Sequence, residues 1–306
     1  MRMGEAGKGV MAMIGACVVW GLSPLYYKLI AHVPPGEVLA HRTLWSLVFF
    51  ACVLALQGRL GALRGALQHW PVILLASVLI SVNWFAFIFS VQVGRTVEAS
   101  LGYYIFPLVA VVLGMIVFRE RLGLWQGIAI VLALSAVVVL SVGAGVVPWI
   151  SLILATTFGF YGVLKKRLEI GPVVSVTCEV LLLAPVALIW LAGLHLGVFA
   201  EGRPGAVFGS GFFESAVLML SGVLTAGPLI LFSYAARRVA LATVGVIQYL
   251  NPSLQFMCAV VIFAEPFTQA HAIAFPLIWT ALAIYSVAAF RQERAARRAA
   301  SASVGV

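Results

Sequence analysis

Aspartate is missing from this sequence. Its ten acidic residues are all glutamate, at positions 5, 37, 98, 120, 169, 179, 201, 214, 265 and 293. The absence removes chemistry built on Asp: aspartyl intramembrane proteases, Asp-rich magnesium sites of lipid-phosphate and prenyl enzymes, aspartyl-phosphate intermediates and EF-hand loops. Charge of either sign is scarce, at 9% of residues against roughly 25% in soluble domains. No G-x-x-x-x-G-K-[ST] segment occurs, so the chain carries no P-loop for ATP. Cys17, Cys52, Cys178 and Cys258 lie in apolar runs without a C-x-x-C pair; they read as small hydrophobes rather than metal ligands or disulfides. His32, His41, His69, His195 and His271 have no H-E-x-x-H or similar spacing. The expectation is a chain that is not an enzyme, with no catalytic residue, metal site or cofactor.

What is abundant is apolar surface. Hydrophobic residues make up 63% of the 306, against roughly 45–50% in soluble chains, and mean hydropathy is +1.11. A soluble fold of this size has too few polar groups here to cover itself. The chain belongs in a lipid bilayer. A spanning helix needs about 20 mainly apolar residues, and ten runs qualify: 8–30, 36–57, 71–92, 97–118, 123–142, 148–168, 173–194, 213–236, 240–263 and 270–290. Most connections are short; Gly58–Trp70 and His195–Phe212 are longer. Arg2 and Lys8 give the first run a basic start, but its apolar stretch continues past Cys17 to Ile30. It reads as the first membrane helix, not a cleaved signal.

Basic residues fix an expected orientation. With the N-terminus in the cytoplasm of a bacterial inner membrane, 15 of the 19 Lys and Arg fall on inner segments, leaving Lys28, Arg42, Arg95 and Arg203. The positive-inside rule then places both termini in the cytoplasm. Topology thereby explains the +9 net charge, and nucleic acid is not an expected partner. Trp70, Trp125, Trp149 and Trp190 fall near span ends, as an aromatic belt does. Residues 292–306, basic and small, read as a disordered cytoplasmic tail.

The sequence repeats itself. At an offset of 145, Tyr104, Pro107, Phe118 and Glu120 fall on Tyr249, Pro252, Phe263 and Glu265. Trp20–Lys28 (WGLSPLYYK) lies over Phe158–Lys166 (FGFYGVLKK), with Gly21 on Gly159. The units are 1–145 and 146–291, five spans each. Because five is odd, the second copy enters from the opposite face, giving inverted repeats about an axis in the membrane plane. The fold class is therefore an all-α polytopic membrane protein of ten transmembrane helices in two inverted five-helix repeats. Pro107 and Pro252 each remove a helix hydrogen bond, so the fourth and ninth spans are expected to be kinked, with freed carbonyls at Tyr103 and Gln248.

WGLSPLYYK, EVLAHRTLWS, NWFAFIFSV, SLGYYIFPL and the terminal F-x-E of each half resemble the EamA repeat of the drug/metabolite transporter superfamily, and most closely its RarD-like branch. The resemblance covers nearly the whole chain. It implies an inverted five-plus-five fold, a central cavity and transport without ATP hydrolysis, in a branch named for chloramphenicol sensitivity. One position departs: where the branch motif reads G-Y-F-I-N-P, Phe106 stands in place of Asn, while Asn251 keeps the amide in the second half.

Polar groups inside spans are costly and mark function by default. Arg42 could hold a carboxylate or phosphate bidentately, or snorkel toward outer headgroups. Lys28 would add to a positive vestibule that Glu37 partly neutralises. Glu179 is the candidate for proton coupling, or a paired structural group; His41 could titrate or hydrogen-bond between helices. Arg42 and Glu179 are each about 9 Å deep from opposite faces at roughly 1.5 Å per residue, so they are expected not to pair. Asn83, Gln248 and Asn251 are candidates for substrate contact or helix–helix glue. Trp20 and Trp84, at mid-depth, are candidates for lining a cavity or for packing. Tyr103 offers a hydroxyl beside the Pro107 kink. Glu120 and Glu265 are expected to cap or pair with loops.

The leading functional expectation is a secondary carrier moving a small metabolite or drug-like solute by alternating access, with a coupling proton left open. A channel, an uncoupled uniporter and, least of all, a membrane-integral enzyme are the alternatives. Gly123 and Gly127 form one small-xxx-small pair, which leaves a homodimer open.

Overall fold

The computed structural model describes residues 5–118, 123–144, 147–168, 170–198, 206–239, 244 and 247–304. Among them every regular element is helical. The ten apolar runs become α1 (Glu5–Leu29), α2 (Pro35–Leu56), α3 (Trp70–Gln92), α4 (Thr96–Phe118), α5 (Leu124–Ala144), α6 (Trp149–Arg167), α7 (Pro172–His195), α8 (Phe212–Ala236), α9 (Leu250–Met257) and α10 (Gln269–Val304). A π-helical turn, Cys258–Ile262, extends α9. Short helical turns at Ala62–Ala66 and Leu67–His69 fill the connection before α3. Among the described residues eight helices are long and apolar enough to cross a membrane, and Trp149–Lys165 and Leu250–Ile262 are shorter apolar helices. Val131, Leu134, Val138, Val186, Leu188 and Ile189 all face outward. A soluble protein would hide such a surface; lipid covers it here.

Local sequence sets the ends of α2 and α7 in the same way. Each starts on a proline, Pro35 or Pro172, whose missing N–H costs nothing in a first turn. Each stops at a glycine with positive φ, Gly58 at 65° and Gly197 at 71°. There the last carbonyls are closed by Arg59 N–H to Leu54 O at 2.8 Å and Val198 N–H to Gly193 O at 2.9 Å, as in a Schellman motif.

The larger helix contacts follow one exchange rule, helix n for helix n + 5. The α1–α8 contact corresponds to α6–α3, α1–α9 to α6–α4, and α2–α8 to α7–α3. The α2–α7, α4–α9 and α5–α10 contacts map onto themselves, so they lie on the pseudo-twofold axis. The halves also run in opposite directions. Leu54, late in α2, packs with Val174 and Cys178, early in α7; Ala40, early in α2, packs with Leu191 and Leu194, late in α7. Tyr27 and Ile30, ending α1, cluster with Ile150 and Leu154, starting α6.

The rule extends to single residues. A Cβ on Gly21 would sit 2.7 Å from Leu254 Cβ, and one on Gly159 would sit 3.0 Å from Val109 Cγ1. Leu254 and Val109 are separated by the same 145 positions that relate the fourth and ninth spans. Across the axis, the hydroxyls of Tyr104 on α4 and Ser253 on α9 lie 2.6 Å apart.

Two expectations need correction, and a third takes a particular form. Pro107 lies inside α4, but Pro252 is the third residue of α9, after a turn at Tyr249. Residues 247 and 248 ahead of that turn are helical, so the ninth span is helical on both sides of the interruption, as a proline that removes one helix hydrogen bond produces. The tail expected to be disordered continues α10 as helix to Val304; its Ala, Arg, Gln and Glu are strong helix formers. Trp70, Trp125 and Trp149 are exposed as a belt requires, but Trp190 turns inward, 3.2 Å from the Cβ position of Gly36.

Close packing of α8 on α2 gives a test. A Cβ at Gly222 would lie 2.4 Å from the Trp45 carbonyl carbon and 2.7 Å from Ser46 N, and backbone cannot yield as a side chain can. Gly222→Ala is expected to cost about 1–3 kcal/mol. Exposed Gly162, with nothing within 4 Å of its Cβ position, is expected to gain about 0.4–1 kcal/mol on Gly162→Ala. Unfolding midpoints in detergent measure both.

Candidate functional site

Arg42 and Glu179 each stand seven residues after their helix's opening proline. Since α2 and α7 are antiparallel neighbours, this places them about 10 Å in from opposite ends of the bundle, at roughly 1.5 Å per residue. The expectation that they do not pair agrees with the contacts: each has partners of its own.

Arg42 is 6% exposed. Its Nη1 donates to the Tyr27 hydroxyl at 2.8 Å. The guanidinium carbon lies 4.1 Å from the Trp84 ring centroid and 5.9 Å from that of Tyr27, a cation–π geometry that keeps its charge in an apolar setting. Among the described residues no carboxylate is within ion-pair distance of it, and Nε has no hydrogen-bond partner. Beside Trp84 on α3, Asn83 donates to Leu154 O at 2.9 Å and Thr157 Oγ1 at 3.0 Å. Its Oδ1 accepts from the Tyr103 hydroxyl at 3.0 Å, so one amide joins α3, α4 and α6.

Glu179 is 1% exposed and fully engaged. Oε1 accepts from Lys165 Nζ at 2.6 Å and Ser175 Oγ at 3.0 Å; Oε2 accepts from the Tyr161 hydroxyl at 3.0 Å. Lys165 also donates to Ser175. The two clusters are equivalents: Tyr27 on α1 meets Arg42 on α2, and Lys165 on α6 meets Glu179 on α7. The offsets are 138 and 137.

Rings run from one cluster to the other. Centroid separations are 5.8 Å for Tyr27–Phe87, 5.7 Å for Phe87–Tyr103, 6.1 Å for Tyr103–Phe158 and 5.9 Å for Phe158–Tyr161. Phe106, at the position where the branch motif has Asn, meets Phe158 edge-on at 4.8 Å. It lengthens this aromatic lane instead of adding an amide to it.

The remaining candidates stand apart. His41 stacks on Phe208 at 4.5 Å, and neither ring nitrogen has a hydrogen-bond partner among the described residues. Lys28 is exposed, 5.5 Å from the Phe263 ring. Glu37 is buried; its Oε1 accepts from Val207 and Phe208 N–H at 2.8 and 3.0 Å, and its Oε2 has no partner among the described residues. Trp20 packs on Phe232 at 6.3 Å. Asn251 accepts from Gln255 Nε2 at 2.9 Å, and Gln248 is half-buried just before α9. Glu265 is a cap, accepting from Thr96 and Val97 N–H at 2.9 and 2.8 Å. Glu120 lies outside the described residues.

Sequence reasoning missed Tyr27, Thr157, Tyr161, Lys165 and Ser175. By sequence alone Lys165 falls among the inner-segment charges. The signal was present: Tyr27 precedes Arg42 by 15 residues and Lys165 precedes Glu179 by 14, at equivalent places.

These features define an all-α polytopic membrane protein of two interlocked, oppositely directed halves. The model of the EamA-like transporter family matches residues 7–142. The uncharacterized transporter YojE of Bacillus subtilis is 37% identical over 97% of this chain and 99% of its own. Protein RarD of Streptomyces exfoliatus is 38% identical over 96% and 92%, and that of Escherichia coli 35% identical over 95% and 97%. A crystal structure of a protein 21% identical to this chain, covering 93% of it and 98% of itself, superposes with a TM-score of 0.61, which shows the fold. The chain belongs to the EamA-like transporter family, in its RarD-like branch.

Lys165→Met is expected to destabilise by about 3 kcal/mol, the low end for a broken buried pair, because the lysine side chain is 21% exposed. Adding Glu179→Gln is expected to recover most of that loss. Denaturation of the single and double variants in detergent measures the coupling.

Proposed function

We propose that the chain is a secondary transporter that moves a small metabolite or drug-like solute across the bacterial cytoplasmic membrane by alternating access, without ATP. The observation that carries the reading is the antiparallel contact of α2 and α7, with a buried polar cluster at the same register in each half. Opposed halves of nearly equal build can open a shared path to either side at similar energy. A scaffold would not need buried charges at matched depths.

Trp84, Asn83 and Tyr103 adjoin the path on the Arg42 side, with His41 and Lys28 nearer that end and Trp20, Gln248 and Asn251 on the α9 side. The halves 1–145 and 146–291 are the moving bodies, and both termini face the cytoplasm, as the basic residues argue. Coupling, in this reading, runs through Glu179. A proton on its carboxyl removes the charge that holds Lys165, which loosens α6 from α7. The groove at Gly123, Leu124, Gly127 and Ile128 is where a second copy would pack.

Counterflow in proteoliposomes, begun with metabolite and antibiotic pools picked from deletion and overproduction strains, is the test. Saturable exchange is expected. Unsaturable conductance would replace the carrier with a channel. Glu179→Gln is expected to flatten the pH dependence of net flux, and an unchanged profile in vesicles removes the coupling role.

A further inference from the structure

We propose that Arg42 is the recognition point for an organic monoanion: a small carboxylate with a planar, apolar body. The inference rests on the transporter reading above and adds the substrate class.

The first support is the electrostatic imbalance. Arg42 is more than nine-tenths buried, keeps Nε unpartnered, and gives Nη1 to a neutral hydroxyl. Among the described residues no carboxylate meets it. The nearest glutamate in sequence, Glu37, turns Oε1 to the Val207 and Phe208 amides, and its buried Oε2 has no partner among the described residues. Its counterpart cluster is closed, because Lys165 and Glu179 satisfy each other. A buried guanidinium needs an anion, and its planar fork suits a carboxylate.

The second support limits the ligand's charge. One guanidinium without an acid matches one negative charge. A phosphate monoester brings about −1.5 to −2 at neutral pH, so it would leave charge uncompensated in a low-dielectric interior.

The third support concerns the body of the ligand. Trp84 lies against the guanidinium, and the ring contacts of Tyr27, Phe87, Tyr103 and Phe158 continue inward from it. Flat apolar groups stack on such rings, whereas a polyol would lose hydrogen bonds to water beside them.

The experiment uses the full chain in detergent and reads the unfolding midpoint against benzoate, hexanoate, phenyl phosphate, benzyl alcohol and benzylammonium. Benzoate is expected to raise the midpoint most, hexanoate and phenyl phosphate less, and the neutral and cationic probes not at all. Arg42→Lys, which keeps the charge but loses the fork, is expected to weaken benzoate at least tenfold. Trp84→Leu is expected to weaken benzoate more than hexanoate. Equal response to benzyl alcohol, a stronger response to phenyl phosphate, or full benzoate binding in Arg42→Lys overturns the proposal. Should the variants fold poorly, the five probes on the unaltered chain decide alone, and no response to benzoate counts against it. Saturable counterflow of another solute without benzoate binding would sink this inference and leave the carrier standing. Benzoate binding without any flux would do the reverse.

Discussion

A charge taken out of water must be met by a partner, and in a lipid-embedded bundle that partner has to come from another helix or loop. This requirement organises the interior. Glu179 is met by Lys165, Ser175 and Tyr161, which locks α6 to α7. Glu265 is met by the first amides of α4, where the helix dipole also favours a negative group. Glu37 is met by the backbone ahead of α8. Each carboxylate therefore fastens an element that apolar packing alone would hold with little directional preference.

Arg42 departs from that pattern, and its setting makes the departure tolerable. Stacking on Trp84 and a hydrogen bond to Tyr27 are weaker compensation than a carboxylate, yet they fix the plane of the guanidinium. The rings from Tyr27 to Tyr161 then link two ends of the bundle whose polar chemistry differs. Packing is shared between the halves, through Gly21 against Leu254 and Gly159 against Val109, while the charged residues are not. Architecture and chemistry are thus set by separate groups of residues.

Much of this architecture was legible. Span length and apolar content located the helices because a bilayer imposes a minimum length. The five-plus-five arrangement followed from an odd number of spans per copy. Glu265 was readable as a cap from its place at a span end. What stayed hidden depended on three-dimensional pairing. Lys165 sits in a basic KKR run that looks like a loop signal, and only the approach of α7 shows that its ammonium turns inward. Pro252 and Pro107 are equivalent in sequence, but only at Pro252 does a turn, at Tyr249, interrupt the helix. His41 looked titratable; its stacking on Phe208 could not be read from spacing.

Arg42 and Glu179 hold equivalent positions yet carry opposite signs. Two separately made copies of a five-helix unit would share one coding sequence, so both positions would have to be the same amino acid. A dimer of that kind could offer two arginines or two glutamates, never one of each. Joining the copies in one chain lifts that restriction. Covalent linkage lets one end of the bundle keep a buried cation without a carboxylate partner while the equivalent place at the other end is internally neutral, a polarity that two identical copies could not encode.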